Sequence, residues 1–167
     1  MIEIIPNWHP IFVHFTIALF TAAFGFSVLA YVLQLNHLKS TLAFELEIVG
    51  RWCLWAAAFI TLATVGAGLY AYNTVHHDEP GHFAMQFHRN WALTTAIFMW
   101  LAALWSLWRY YKRKKVTITF LLALLIIQIL VLTTAWLGGE LVYRHGLGVL
   151  SLPQVESEQH HHHSEME

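Results

Sequence analysis

Twelve histidines stand against nine lysines and arginines in this chain of 167 residues, and they are the side chains best suited to chemistry. Neutral imidazole is a ligand for haem iron, copper, zinc and nickel. His9 and His14 lie near the start of the chain. His76, His77, His82 and His88 share one stretch, His145 follows the last apolar run, and His160 to His163 sit in a polar tail. The single cysteine, Cys53, provides neither a disulfide framework nor a thiolate cluster. No Cys-x-x-Cys-His is present, which excludes covalent c-type haem attachment. His-Glu-x-x-His, a Walker loop and Gly-x-Ser-x-Gly are also absent, so no catalytic residue is assigned.

The elements that position these histidines follow from composition. With 57% hydrophobic and 11% charged residues, lipid is the expected solvent. Four apolar stretches, about 10–33, 52–72, 91–108 and 116–137, are each near the length that a helix needs to cross a bilayer core. The expectation is an all-α, polytopic membrane protein: an antiparallel bundle of four transmembrane helices in one domain, 1–150. A His- and acid-rich tail, 151–167, is expected to be disordered. Residues 36–47 and 73–90 read as polar loops, and Arg109 to Lys115 reads as a basic turn.

Seven of the nine basic residues (Lys39, Arg51, Arg109, Lys112, Arg113, Lys114 and Lys115) fall on one side of that bundle. Short loops rich in Lys and Arg stay cytoplasmic. The expected location is therefore the bacterial inner membrane, multi-pass, with both termini periplasmic. Trp8, Trp91 and Trp136 mark the outer interface, and Trp52, Trp55, Trp105 and Trp108 the inner one.

On that topology His9, His14, His76, His77, His82, His88 and His145 all emerge at the outer face, and His37 alone at the inner one. Helix ends from a four-helix bundle converge at one depth, and bundles build cofactor sites in this way. His14 lies one turn inside the first helix, where an ionisable group normally faces the bundle interior; the bland account is a hydrogen bond to a helix-end carbonyl. His88 precedes Trp91 at the mouth of the third helix. His145 lies near Glu140 and Arg144. For His9, before Pro10, capping is as good an account as ligation. His76, His77 and His82 are either part of a solvated acidic loop or metal ligands, with His77 and His82 the candidates. The tract His160 to His163 could catch metal. Ser106, Thr133 and Thr134 read as helix–helix hydrogen-bonding residues.

Aromatic neighbours (Phe12, Phe15, Phe83, Phe87, Trp91 and Tyr143) suit a flat macrocycle. Arg89 and Arg144 would pair with carboxylates such as haem propionates. Glycines at 138, 139, 146 and 148 would let backbone approach a bulky ligand. Haem b is the cofactor these residues favour. One haem is sufficient, and the histidine count would support a second.

Two motifs carry a resemblance. His9-Pro10-Ile11-Phe12-Val13-His14-Phe15 and Gly138-Gly139-Glu140-Leu141-Val142-Tyr143-Arg144-His145-Gly146-Leu147-Gly148-Val149 resemble the opening HPxxVHF and closing GGxLVYxHGxGV of the bacterial "domain of unknown function 2231" membrane family. His88-Arg89-Asn90-Trp91 is similar to the family's pattern before its third helix. The resemblance spans about residues 9 to 150, with Thr16 where the family often has proline. It implies that His9, His14, His88 and His145 are the recurrent histidines. Relatives fused to Rieske-type or c-type cytochrome modules imply redox work at the outer face.

The expectation is a small b-type cytochrome binding haem through His14 and His88, with His145 and His9 available for a second. It would exchange electrons between membrane quinol or quinone and a periplasmic redox protein, and so act as a quinone-linked or metal-reducing oxidoreductase. Two alternatives stand beside it: a periplasm-facing copper, zinc or iron binding or transport protein, and a structural subunit of a respiratory complex. The lipid bilayer is the certain surrounding and a homodimer a further option. Nucleic acid is excluded as a partner.

Overall fold

The computed structural model describes residues 7–35, 40–75 and 79–149. Four helices account for nearly all of them: α1 (His9–Leu35), α2 (Ser40–Thr74), α3 (Glu79–Tyr111) and α4 (Ile118–Tyr143). All four are long and apolar enough to cross a membrane. The chain is a four-helix membrane bundle, as the composition requires.

The helices overrun the apolar stretches that announce them. At 1.5 Å per residue, the 35 residues of α2 and 33 of α3 reach ~50 Å each, against a hydrocarbon core of ~30 Å. The stretch 40–47, expected as loop, is helical, and so is 79–90. Hydrophobicity marks where a helix meets lipid, whereas its backbone hydrogen bonds continue into the interface. Pro80 and Gly81 do not interrupt α3, because they occupy its first turn, where no N–H needs an intrahelical partner. Glu79 in that turn favours the positive helix end.

Local chemistry sets the other ends. The Asn7 side-chain oxygen accepts the His9 N–H at 3.0 Å, just ahead of Pro10. The Thr117 hydroxyl caps α4 by accepting from the Phe120 N–H. Beyond Tyr143, the N–H groups of Gly146 and Leu147 return to the carbonyls of Val142 and Leu141, with Gly146 at φ 63°. This is the left-handed glycine stop of a helix.

Consecutive helices pack on one another, and α1 also packs on α4, so α1 and α3 stand diagonally across the bundle axis. The closest pair is α1 and α2. A Cβ on Gly50 would lie 3.1 Å from Ser27 Oγ and 3.3 Å from the Ala23 carbonyl, so the glycine permits the approach. Phe20, Leu54, Met99 and Leu124, one from each helix, are fully buried and belong to one core. Apolar side chains such as Phe59, Leu62, Ile97, Ile126 and Ile129 project outward, as lipid contact demands.

The basic connection between α3 and α4 is shorter than its sequence reading, because α3 runs on to Tyr111. Arg109 is not part of an exposed turn but lies inside the last turn of α3, 6% exposed. Its guanidinium donates to the Lys115 carbonyl and lies 4.2 Å over the Phe120 ring. A guanidinium at such depth is tolerable because its charge meets a carbonyl and a π face.

Candidate histidine site at the terminal end of the bundle

Two of the predicted histidines meet on the bundle axis. His9, in the first turn of α1, and His88, in the third turn of α3, have ring centroids 6.5 Å apart and ring planes inclined at 78°. Both are half-buried. They come from diagonal helices, so no helix lies between them.

The other two helices provide the seats. His9 Nδ1 lies 3.0 Å from the Thr64 carbonyl of α2. A carbonyl can only accept, so Nδ1 carries the hydrogen and Nε2 keeps its lone pair free. Gly68, one turn after Thr64, faces the same ring: a Cβ there would stand 2.9 Å from His9 Cε1. On α4, a Cβ at Gly138 would stand 3.3 Å from His88 Cε1. The Thr134 main chain lies beside His88, but His88 Nδ1 is buried without a well-formed hydrogen bond. A metal-ligating histidine usually donates its second N–H to a carbonyl or carboxylate. His9 has that arrangement and His88 has its components.

Below the rings, towards the midplane, are two pairs of hydroxyls. Thr16 and Thr64 approach to 2.8 Å, and Thr95 and Thr134 to 2.9 Å. Thr64 gives its proton to its own helix at Ile60, so Thr16 donates in the first pair. Thr95 likewise gives its proton to Trp91, so Thr134 donates in the second. Thr134 thus bridges helices as its sequence position suggested.

The remaining predicted residues lie elsewhere. His14 is exposed, and its Nδ1 bonds to the Pro10 carbonyl of its own helix. The partner that the fold gives His88 is His9, not His14. His145 is exposed in the turn after α4. His82 is exposed on α3, its Nε2 3.4 Å from the Tyr72 hydroxyl. His76, His77 and His160 to His163 lie outside the described residues. Arg89 lies 4.6 Å over the Tyr72 ring. Arg144 pairs with Glu140 at 2.7 Å. Among the described residues no three His, Cys, Asp or Glu side chains gather as a metal site. A groove of about 530 Å³ lined by Phe12, Phe15, Phe59, Ile60, Leu62 and Ala63 opens between α1 and α2, and no histidine lines it.

The chain belongs to the DUF2231 family. The family's model, described as "Predicted membrane protein (DUF2231)", matches residues 6–151. All four helices and the histidine pair fall within that match. No curated protein and no solved structure matches the chain. The family description speaks of the membrane and leaves the chemistry to the residues.

Thr64, Gly68, Thr134 and Gly138 are the site residues whose roles a reading of histidines alone misses. The signal was present in the sequence as Thr-x-x-x-Gly in both α2 and α4.

Proposed function

We propose that the protein is a small b-type cytochrome of the bacterial inner membrane. In this reading it holds one haem b near the periplasmic face through His9 and His88. It passes single electrons between a membrane quinol or quinone and a redox protein outside. The observation that carries the reading is the pair itself: two imidazoles from diagonal helices, backed by glycines, with no third ligand among the described residues. His9 and His88, their ring centroids 6.5 Å apart, are the residues that would hold the haem iron, one imidazole from each of two helices. A bare zinc or copper ion needs three or four protein ligands, whereas a macrocycle brings four of its own.

When bound, the haem would supply one-electron chemistry; the chain's residues hold and tune it. The Thr64 carbonyl fixes the His9 tautomer with Nε2 available and raises that nitrogen's basicity. Gly68 and Gly138 seat the His9 and His88 rings closely against α2 and α4. Arg89, next to His88, is the cation best placed to neutralise propionates, and Arg144 is already engaged by Glu140. The orientation rests on the cluster of basic residues at the opposite end of the bundle.

The test is the visible spectrum of protein purified in detergent from haem-replete cells, oxidised and after dithionite, with a pyridine haemochrome assay per chain. Reduced b-type bands that disappear in His9→Ala and in His88→Ala, and persist in His14→Ala, are expected. A colourless wild-type protein would overturn the cytochrome reading.

A further inference from the structure

We infer that the chain is two copies of one helical hairpin, and that His9 and His88 are the same residue of the two copies, presenting one shared site for a single metal centre on the axis between them. The choice of haem rests on the function proposed above; the duplication does not.

The buried faces carry the argument. The buried residues of α1 are Thr16, Phe20, Ala23, Ser27 and Ala30. Shifted by the 79 positions that carry His9 onto His88, they fall on Thr95, Met99, Ala102, Ser106 and Arg109, and every one of these is buried in α3. The second helices agree at a shift of 70 positions. Gly50, Leu54, Ala57, Ala58 and Thr61 of α2 are buried, and so are Phe120, Leu124, Ile127, Gln128 and Val131 of α4. The same shift carries Thr64 onto Thr134 and Gly68 onto Gly138. The nine-residue difference between the two shifts is taken up where α2 starts early, at Ser40.

Helical periodicity alone would align two core faces at several shifts. The functional residues select one. At that register each hairpin carries a histidine on its first helix, a threonine two turns deeper on the same helix, and a Thr-x-x-x-Gly seat on its second helix. Both hydroxyl pairs, Thr16–Thr64 and Thr95–Thr134, then correspond. The main asymmetry also has a cause. Gly50, which lets α1 and α2 touch, corresponds to Phe120, whose ring packs at 5.2 Å on Trp105 and separates α3 from α4.

Both hairpins start at the same end of the bundle, and the helices pack in ring order. The copies are therefore related by a pseudo-two-fold running along the bundle, as in parallel membrane repeats. The histidines, on diagonal helices, face each other across that axis. A pseudo-symmetric site suits a ligand with two equivalent faces: one metal centre taking one imidazole from each copy.

Two measurements on the full chain separate this inference from the cytochrome reading. The first is a pair of double-mutant cycles in equilibrium unfolding, with Gly68→Ala and His9→Ala in one and Gly138→Ala and His88→Ala in the other. The alanine methyl at position 68 would collide with the His9 ring at 2.9 Å and the one at position 138 would crowd the His88 ring at 3.3 Å, so removing the ring should relieve each. Coupling of about threefold or more in the unfolding constant is expected within each cycle, and additivity in the crossed pairs Gly68→Ala/His88→Ala and Gly138→Ala/His9→Ala. Coupling in only one hairpin, or equal coupling in the crossed pairs, would overturn the equivalence. The second measurement is haem and metal content per chain. One equivalent, lost to the same degree in His9→Ala and His88→Ala, is expected. Two equivalents, or loss in only one variant, would overturn the shared centre. One equivalent of a non-haem metal, lost equally in both, would support this inference and refute the cytochrome. A protein without haem or metal would overturn the shared centre and the cytochrome together, while coupled cycles would still uphold the duplication.

Discussion

His9→Ala and His14→Ala remove the same side chain five residues apart on one helix, and the fold predicts opposite outcomes. His9 loses a 3.0 Å hydrogen bond to the Thr64 carbonyl, worth about 1 kcal/mol net. It also loses a half-buried ring that fills the notch over Gly68 and packs edge-on against His88. That void adds about 1–2 kcal/mol, at the lower end of core truncations because the site is only half-buried. The sum is about 2–3 kcal/mol. His14 is exposed and bonds only within its own turn, so its replacement should fall within about 0.5 kcal/mol of wild type. Unfolding in mixed micelles, followed by circular dichroism as the fraction of denaturing detergent rises, would measure both. The same preparations would show whether colour follows stability, with His14→Ala retaining any bound haem. A His14 variant as destabilised as the His9 variant would refute the assignment of the axis to His9.

Other consequences are equally direct. Leu124→Ala empties a fully buried position between the hairpins and should cost about 2–5 kcal/mol, whereas Leu125→Ala, on the lipid face, should cost less than about 1 kcal/mol in the same assay. Gly50→Leu would force α1 from α2 against the Ala23 carbonyl. It should destabilise by more than about 2 kcal/mol, where Gly25→Leu, with open space around it, should not. Arg109→Met removes the donor to the Lys115 carbonyl, so the connection between α3 and α4 should be cut by trypsin several-fold faster at Lys112 to Lys115, with little change elsewhere. Thr64→Val strips the acceptor from the buried Thr16 hydroxyl and should destabilise more than Thr16→Val. The latter leaves Thr64 still donating to Ile60, and its cost should be near the ~0.6 kcal/mol typical of interhelical bonds in membranes.

The sequence by itself determined that there are four spans, that they are helical, and that His9, His82, His88 and His145 lie at the end of the bundle opposite the connection between α3 and α4. Those conclusions rest on composition and order along the chain, which no packing arrangement can alter. It could not set the helix ends, because polar residues at 40–47 and 79–90 continue helices that composition alone would stop. Nor could it choose between His9 and His14. Five residues at about 100° each put the two some 140° apart around α1, so only one can face the axis. The seven residues from His9 to Thr16 bring the chain back to nearly the same face. A soluble helix would reveal that face by its apolar stripe. Here α1 is apolar all round, because lipid and core demand the same side chains, and the periodic signal vanishes. Only the packing of α1 against α2 and α4 decided the phase, turning Thr16 and His9 inward and His14 out.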